Sequence, residues 1–309
     1  MPDSHDPQKA TITNNCIREI YAQKLTLGDP VISFEFFPPQ TSAGQENLYK
    51  RVIPSLATAN PDFCSVTYGA GGSIRSNTLE VVEHIQTQYG ITGMAHVTFL
   101  SSTQEEIETF IHTASRLNIK NLLALRGDPP RDDPNFVRLN NNFEYAFELI
   151  DYIKTQGSFS IGVAGFPEGH IDCKGGKHLD WKRLKDKINH GADFVLTQLF
   201  FENSDYFEFR DHLVDKLGVR VPITPGILPI LNGKQVKRFA NLCGAKLPAA
   251  LVRSLDKYSD DNEAMAKFGI DYATRQCEEL LRNSAPGLHL YSLNKSRASL
   301  QILRNLGLN

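Results

Sequence analysis

Residues 31–40, VISFEFFPPQ, set one carboxylate, Glu35, among Val31, Ile32, Phe34, Phe36 and Phe37. Such a run suits a β-strand covered on both faces, and Pro38 and Pro39 end it because proline brings no N–H to a ladder. Burial disfavours the charged form of an acid, so Glu35 is expected to hold a proton near neutral pH and to be able to give it away. The competing reading has it pointing to water or paired with a buried Arg or Lys. Polar and glycine residues recur where other apolar runs end: Thr67-Tyr68-Gly69, His96, Arg126-Gly127-Asp128, Phe166 to His170, Gln198, Pro225-Gly226 and Asn294-Lys295. Each alone reads as a satisfied polar group at a strand end. Their recurrence at nearly every such end points to a site.

Several chemistries fit poorly. No two histidines stand as H-x-H at the end of a run, which speaks against a metal-dependent hydrolase, although His96, His170 and Asp128 keep that reading open. The sixth run ends in Gln198 rather than lysine, which speaks against a Schiff-base enzyme. There is no G-x-S-x-G elbow. A proton donor, a second carboxylate, an amide and an imidazole remain. That set suits a reaction whose hard chemistry is carried by an organic cofactor, with no metal.

The elements that must position these groups follow from periodicity. A short helix with Ile17, Ile20, Tyr21 and Leu25 precedes the first strand. Further strands are expected at 63–68, 94–99, 121–126, 159–164, 193–198, 221–225 and 288–292, each separated from the next by helical spacing. Two capping boxes compete before the helix of Ile107, Phe110, Ile111, Ala114 and Leu117: Ser102 with Glu105, or Thr103 with Glu106. Asp180 is expected to cap the helix of Trp181, Leu184 and Ile188, and Asn203 or Ser204 the next one. A helical stretch over 249–282 precedes the last strand, and a final helix carries Leu300, Leu303 and Leu306. The alternation predicts one α/β domain over 15–309, a single (β/α)8 TIM barrel, with 1–14 loosely attached. A doubly wound sheet is the alternative, but Gly69-Ala-Gly-Gly-Ser-Ile74 fails G-x-G-x-x-G at its last position.

Composition agrees. The 309 residues are 41% hydrophobic and 22% charged, the profile of a globular chain with a sizeable core. A net charge of -2 gives no case for nucleic acid or an acidic membrane surface. No apolar run is long enough to span a bilayer, and the polar N-terminus resembles neither a signal nor a transit peptide, so a cytoplasmic protein is expected. The five cysteines are scattered and odd in number, which speaks against a disulfide framework.

Phe34-Glu-Phe-Phe-Pro-Pro39, Ser65-Val-Thr-Tyr-Gly-Ala70, Ala124-Leu-Arg-Gly-Asp128, Thr197-Gln198 with Phe200-Phe201, Pro225-Gly-Ile-Leu-Pro229 and Leu293-Asn294 occur in one order. Together they resemble the methylenetetrahydrofolate reductase family. The resemblance implies a barrel with non-covalent FAD, which takes hydride from NADH or NADPH and passes it to 5,10-methylenetetrahydrofolate in a ping-pong scheme. The product, 5-methyltetrahydrofolate, serves one-carbon metabolism and methionine supply. Glu35 then corresponds to the general acid at N10 of the folate, and Asp128 to a carboxylate that stabilises the iminium cation. Gln198, Gln235, Phe239 and Lys295 fall at substrate-binding positions. Thr67, Tyr68, Ala70, His96, Arg126, Gly127, Asp128, Ala146, Phe166, His170, Asp180 and Lys187 fall where the family holds FAD.

There are departures from the family pattern. Phe166 stands where some members have Tyr, Asp186 where a basic residue is expected, and Lys295 where others have Arg. The resemblance also implies a homo-oligomer and, from the chain's length, no regulatory C-terminal domain. Another flavin barrel, similar to proline dehydrogenase, is the alternative enzyme, and a non-catalytic binding barrel the remaining one.

Overall fold

The computed structural model describes residues 15–68, 72–129, 136, 139 and 142–308, without the side chains of 72–76; the expectations for 1–14 and for Ala70 lie outside these residues. The chain opens with helix α1 (Ile17–Leu27) and strand β1 (Val31–Phe36). A helix over 42–57 follows, built from α2 (Ser42–Asn47), a π turn (Leu48–Val52) and α3 (Ile53–Ala57). The wide turn has a cause in Pro54, which has no N–H to return to the preceding turn; Ile53 N bonds instead to the Leu48 carbonyl. Then come β2 (Phe63–Val66), α4 (Gly72–Tyr89), β3 (Thr92–Thr98), α5 (Gln104–Arg116), β4 (Asn121–Leu125), α6 (Ala146–Gln156), β5 (Ser160–Gly165), α7 (Lys177–Asn189), β6 (Phe194–Thr197) and α8 (Asn203–Asp211). The last part holds β7 (Ile223–Thr224), β8 (Gly226–Ile227), α9 (Gly233–Cys243), α10 (Ala249–Lys257), α11 (Asn262–Arg282), β9 (Gly287–Tyr291) and α12 (Arg297–Leu306).

All pairings are parallel, in the order β7-β6-β5-β4-β3-β2-β1-β9-β8. The two ends of that order, β7 and β8, are consecutive in the chain and separated only by Pro225. They are halves of one strand, so the sheet closes into a (β/α)8 barrel. Pro225 brings no N–H to the ladder, but its carbonyl still accepts from His289 N at 3.0 Å. The expected exit at Pro225-Gly226 is therefore corrected: the strand runs on through Ile227.

Alternation sorts the side chains. Ile32, Phe34 and Phe36 face the helical layer and join the large outer core. Val31 faces inward and packs with Phe63, Met94, Leu123, Phe194 and Leu196 as the barrel's floor. Helix α1 closes that floor with Ile17, Ile20 and Tyr21. Its polar groups are met there: Ile17 N donates to Asn121 Oδ1 at 2.8 Å, and Tyr21 Oη lies 2.6 Å from Thr224 Oγ1. Salt bridges from Lys24 to Asp62 (3.1 Å) and from Arg18 to Asp193 (3.6 Å) hold the rim of the plug. The same two aspartates accept from Ile32 N and Ile161 N, which fixes two strand starts.

Four local expectations are decided or changed. Of the two capping boxes, Thr103 with Glu106 forms, while Ser102 Oγ donates back to the Thr98 carbonyl. Asp180 does not cap α7, which begins after Gly176; Asp180 sits in the first turn and accepts from His170 N. Neither Asn203 nor Ser204 caps α8. The cap position is Glu202, and Asn203 donates to the Gln276 carbonyl and Glu279 instead. The stretch 249–282 is two helices, because Asp261 turns its carboxylate onto Glu263 N and Ala264 N and starts α11 afresh.

A Cβ on Gly287 would stand 2.1 Å from the Val31 carbonyl oxygen, in the ladder that joins β9 to β1. Gly287→Ala is thus expected to cost about 3 kcal/mol by overpacking against backbone. Tyr21→Phe, which loses only the Thr224 hydrogen bond, is expected to cost about 1 kcal/mol. Urea midpoints of the two variants check the order.

Candidate active site

The inward positions above the floor are polar. On β1 they are Ser33 and Glu35; on β9, in register with them, His289 and Tyr291. Glu35 is only 7% exposed. Its Oε2 lies 3.5 Å from His96 Nε2 on β3 and 3.5 Å from His289 Nε2. Among the described residues neither an Arg nor a Lys pairs with it. Ser292 Oγ donates to the Glu35 carbonyl at 2.5 Å and holds the end of β1 to the end of β9. Asn294 continues the clasp, accepting from Phe37 N at 3.0 Å and donating to its carbonyl at 2.9 Å.

The histidines differ in their partners. His289 Nδ1 lies 2.8 Å from Ser33 Oγ, which also donates to the Leu288 carbonyl at 3.4 Å. His289 thus bridges the two, with Nδ1 toward the Ser33 hydroxyl and Nε2 toward the Glu35 carboxyl. Burial drives the His96 imidazole down to about 4; Glu35 opposes the shift and His289 adds to it. His96 is therefore neutral at pH 7, and its Nε2 makes no aligned hydrogen bond. Ser65 Oγ, beside Glu35 in register, has none either. Two buried polar atoms without partners at a barrel mouth suit a polar group received from above.

Tyr291 donates to the Thr197 carbonyl at 2.6 Å, crossing the seventh strand to reach the sixth. Gly226 makes room, since a Cβ there would stand 2.6 Å from the Tyr291 hydroxyl. Burial first and Glu35 second push the Tyr291 phenol well above its usual range, so it stays a donor.

The exits of β4 and β5 form a second, more exposed group. Gly127 takes φ 83°, a left-handed turn that carries the chain past Thr98. Arg126 Nη2 lies 3.0 Å from Asp172 and 3.9 Å from Asp128, whose carboxylate is exposed. Asp172 N donates to His170 Nδ1, and the His170 ring meets Phe166 edge-on at 4.6 Å. Lys187 donates to the Ala164 carbonyl at 2.8 Å; burial lowers its amine to about 8 against the opposing pull of Asp180. Burial in turn raises the Asp180 carboxyl, and Lys187 and the His170 amide hold it back. Arg126, Gly127, Asp128, Phe166 and His170 thus make one rim, with Asp180 and the buried Lys187 behind it.

The remaining candidates surround these groups. Thr67 follows β2, and Tyr68 turns outward to Ser102 and Phe110. Ala146 opens α6. Gln198 folds its Oε1 onto Leu199 N at 2.9 Å, which leaves its NH2 as the free donor. Phe239 packs against the small core of α9, α10 and α11, with Gln235 one turn before it. Lys295 is exposed beyond Asn294. His96 lies in the barrel interior and His170 on the rim. Among the described residues no three His, Cys, Asp or Glu side chains are placed to hold one metal ion.

His289, Tyr291, Ser33 and Ser65 are absent from the candidates of the sequence reading. The available signal was the alternation of 288–291, where Leu288 and Leu290 face the outer core and leave His289 and Tyr291 facing in.

The lowered His96 value has a sign. Between pH 6.5 and about 4 the unfolded chain binds a proton at this position and the folded chain does not, so stability falls as pH falls through that window. His96→Gln is expected to remove up to about 3 kcal/mol of that loss, read as urea midpoints at pH 7 and pH 4.5.

A family model described as Methylenetetrahydrofolate reductase matches residues 20–307. The Arabidopsis thaliana protein "Methylenetetrahydrofolate reductase (NADH) 1" is 38% identical over 291 residues, which cover 91% of this chain and 49% of the relative. The Escherichia coli (strain K12) protein "5,10-methylenetetrahydrofolate reductase" is 35% identical over 277 residues, 89% of this chain and 90% of the relative. The chain spans about half the length of the plant relatives it matches. In fold it is similar to a solved structure titled "Uncharacterized protein from Clostridium thermocellum binds two copies of 5-methyl-5,6,7,8-tetrahydrofolic acid", with TM-score 0.60, 16% identity, and coverage of 94% of this chain and 97% of that one. Since the family model takes in the barrel from within α1 to the end of α12, with the Glu35 strand and the β4 rim inside it, this chain belongs to the methylenetetrahydrofolate reductase family.

Proposed function

We propose that the chain reduces 5,10-methylenetetrahydrofolate to 5-methyltetrahydrofolate, with NADH or NADPH as electron source and a non-covalently bound FAD between the two. The observation that supports this most is Glu35, buried at the mouth of the barrel with two histidines on its carboxyl, in a chain of this family. The names of the plant relatives favour NADH as donor.

FAD, when bound, accepts hydride from the dinucleotide and returns it to the folate. The residues present fit such a group. The open polar atoms Ser65 Oγ and His96 Nε2 at the mouth suit a polar heterocycle. The Arg126 guanidinium on the rim suits a pyrophosphate, which would compete with Asp172 and Asp128 for it.

Glu35 gives its proton to N10 of the folate. The bond from N10 to the methylene carbon breaks, its electron pair stays on N10 with the new N–H, and N5 carries the methylene as an iminium cation. Hydride at that carbon makes the methyl group. The carboxyl lies between His96 and His289 for this transfer, with no Lys or Arg paired to it among the described residues. Asp128 carries negative charge on the rim toward the cation. The free NH2 of Gln198 is a donor for the pterin, and Phe239 offers a ring for the p-aminobenzoate or nicotinamide to stack on.

The purified protein is expected to be yellow and to bleach with NADH or NADPH under anaerobic conditions. Colour should return with methylenetetrahydrofolate; return with a proline-derived imine instead would identify a different flavin enzyme. Glu35→Gln should cut the folate half-reaction by about a thousandfold. Its NAD(P)H oxidation by a quinone acceptor should stay close to that of the parent. Survival of both half-reactions in this variant removes Glu35 as the acid.

A further inference from the structure

The rim loop between β5 and α7 is folded by three successive turns. Gly169 N donates to the Phe166 carbonyl, Cys173 N to that of His170 and Gly176 N to that of Cys173, each at 2.9 Å. Trp181 Nε1 braces the loop from behind by donating to the Phe166 carbonyl, and Asp172 ties it to Arg126. One side chain leaves the loop in another direction. Glu168 Oε1 accepts at 2.9 Å from Lys246 N, in the segment between α9 and α10. The Glu168 side chain is only 7% exposed, whereas the Lys246 ammonium, 3.8 Å from it, belongs to a side chain 71% exposed. Burial raises the Glu168 carboxyl, and the Lys246 amide opposes that more than the ammonium does. A desolvated carboxylate is thus committed to one backbone N–H, 78 positions away in the chain. A second contact lies beside it. Gly244, the left-handed residue that ends α9, brings the chain so close that a Cβ there would stand 3.0 Å from the Ile171 Cβ.

Helix α9 carries Gln235 and Phe239, yet its buried residues Val236 and Ala240 pack into a satellite core with Leu251, Leu255 and Met265 rather than into the main outer core. Asn232 holds the start of α9 by accepting from Gln235 N. What holds its end is the rim loop, through Glu168 and Ile171. We propose that Glu168 is a positioning residue, which ties the end of α9 to the cofactor-side rim and so sets where Phe239 and Gln235 stand relative to the mouth. The inference rests on the proposed function, in which those two side chains meet the substrates. The hydrogen bond carries the effect rather than the charge, because the carboxylate reaches an N–H of the backbone while the ammonium stays in water.

The test measures both half-reactions of the holoenzyme for Glu168→Ala, Glu168→Asp, Glu168→Gln and Lys246→Ala, together with tryptic cleavage after Lys246 in the Glu168 variants. Glu168→Ala is expected to raise KM for the folate and for NAD(P)H about tenfold each, with kcat and FAD affinity kept, because a displaced α9 weakens contacts made alike in ground and transition states. Cleavage after Lys246 should become about tenfold faster, since the segment opens once its N–H loses the acceptor. Glu168→Gln, whose amide oxygen still accepts from Lys246 N, should stay within about twofold of the parent in every reading. Lys246→Ala keeps the N–H and should leave both KM values within about twofold. Unchanged KM values in Glu168→Ala overturn the proposal, as does a loss of FAD affinity with both KM values kept, which would make the carboxylate a brace of the rim alone. Lys246→Ala matching Glu168→Ala also overturns it, by giving the link to the ammonium. Should Glu168→Ala fail to fold, Glu168→Asp decides: its carboxylate falls one methylene short, so both KM values should rise about threefold, and parent values overturn the proposal. If the parent reduces no folate, that reading falls, while the NAD(P)H KM and the cleavage rate still decide the role of Glu168.

Discussion

The register of β1 is the constraint on which the mouth of this barrel depends. Side chains along a strand alternate, so a slip of one residue would bring Phe34 and Phe36 inside and send Ser33 and Glu35 into the helical layer. The register is held from both sides. The ladder to β2 pairs Glu35 with Ser65, and the ladder to β9 pairs it with Tyr291. Asp62 secures the strand's start through Ile32 N, and Ser292 and Asn294 secure its end. Gly287 is part of the same mechanism, because only a residue without Cβ lets β9 lie so close to Val31. An acid buried among polar side chains at the barrel mouth is thus the product of backbone pairing more than of any single side-chain contact.

Much of the fold could be read from the sequence. Eight apolar runs separated by helical spacing sufficed for the barrel, and Glu35 stood out because an acid interrupts a run of bulky apolar residues. What stayed hidden was non-local. His289 reads as an ordinary strand residue until β9 is known to lie beside β1, some 250 positions away in the chain. The seventh strand was legible only as far as Pro225, since a proline ends a strand in local terms. Here the ladder changes partners at that residue, β6 on one side and β9 on the other, so the missing N–H falls where the pairing switches. The helix caps failed for a related reason. Asn203 has the right side chain for a cap, but Gln276 and Glu279 from α11 claim its amide.

The two polar groups at the mouth have different characters. Glu35 and its two histidines are buried together, which suits the movement of a proton. The rim of Arg126, Asp128, Asp172 and His170 is exposed and charged, which suits the binding of a charged ligand that also meets water. Lys187 lies behind the rim, and its bond to the Ala164 carbonyl braces the end of β5. Those two environments belong to one sheet and meet where β3, which carries His96, lies beside β4.

The plug formed by α1 has a consequence for traffic. Ile17, Ile20 and Tyr21 seal the floor against Phe63, Met94 and Phe194, all of them buried. Among the described residues the side of the carboxyl toward the floor is apolar and packed. If Glu35 is the acid of the proposed reaction, it recovers its proton through the same opening by which ligands arrive and leave. On that reading replenishment and occupancy compete for one opening, and the acid is reset in the interval when the mouth stands clear.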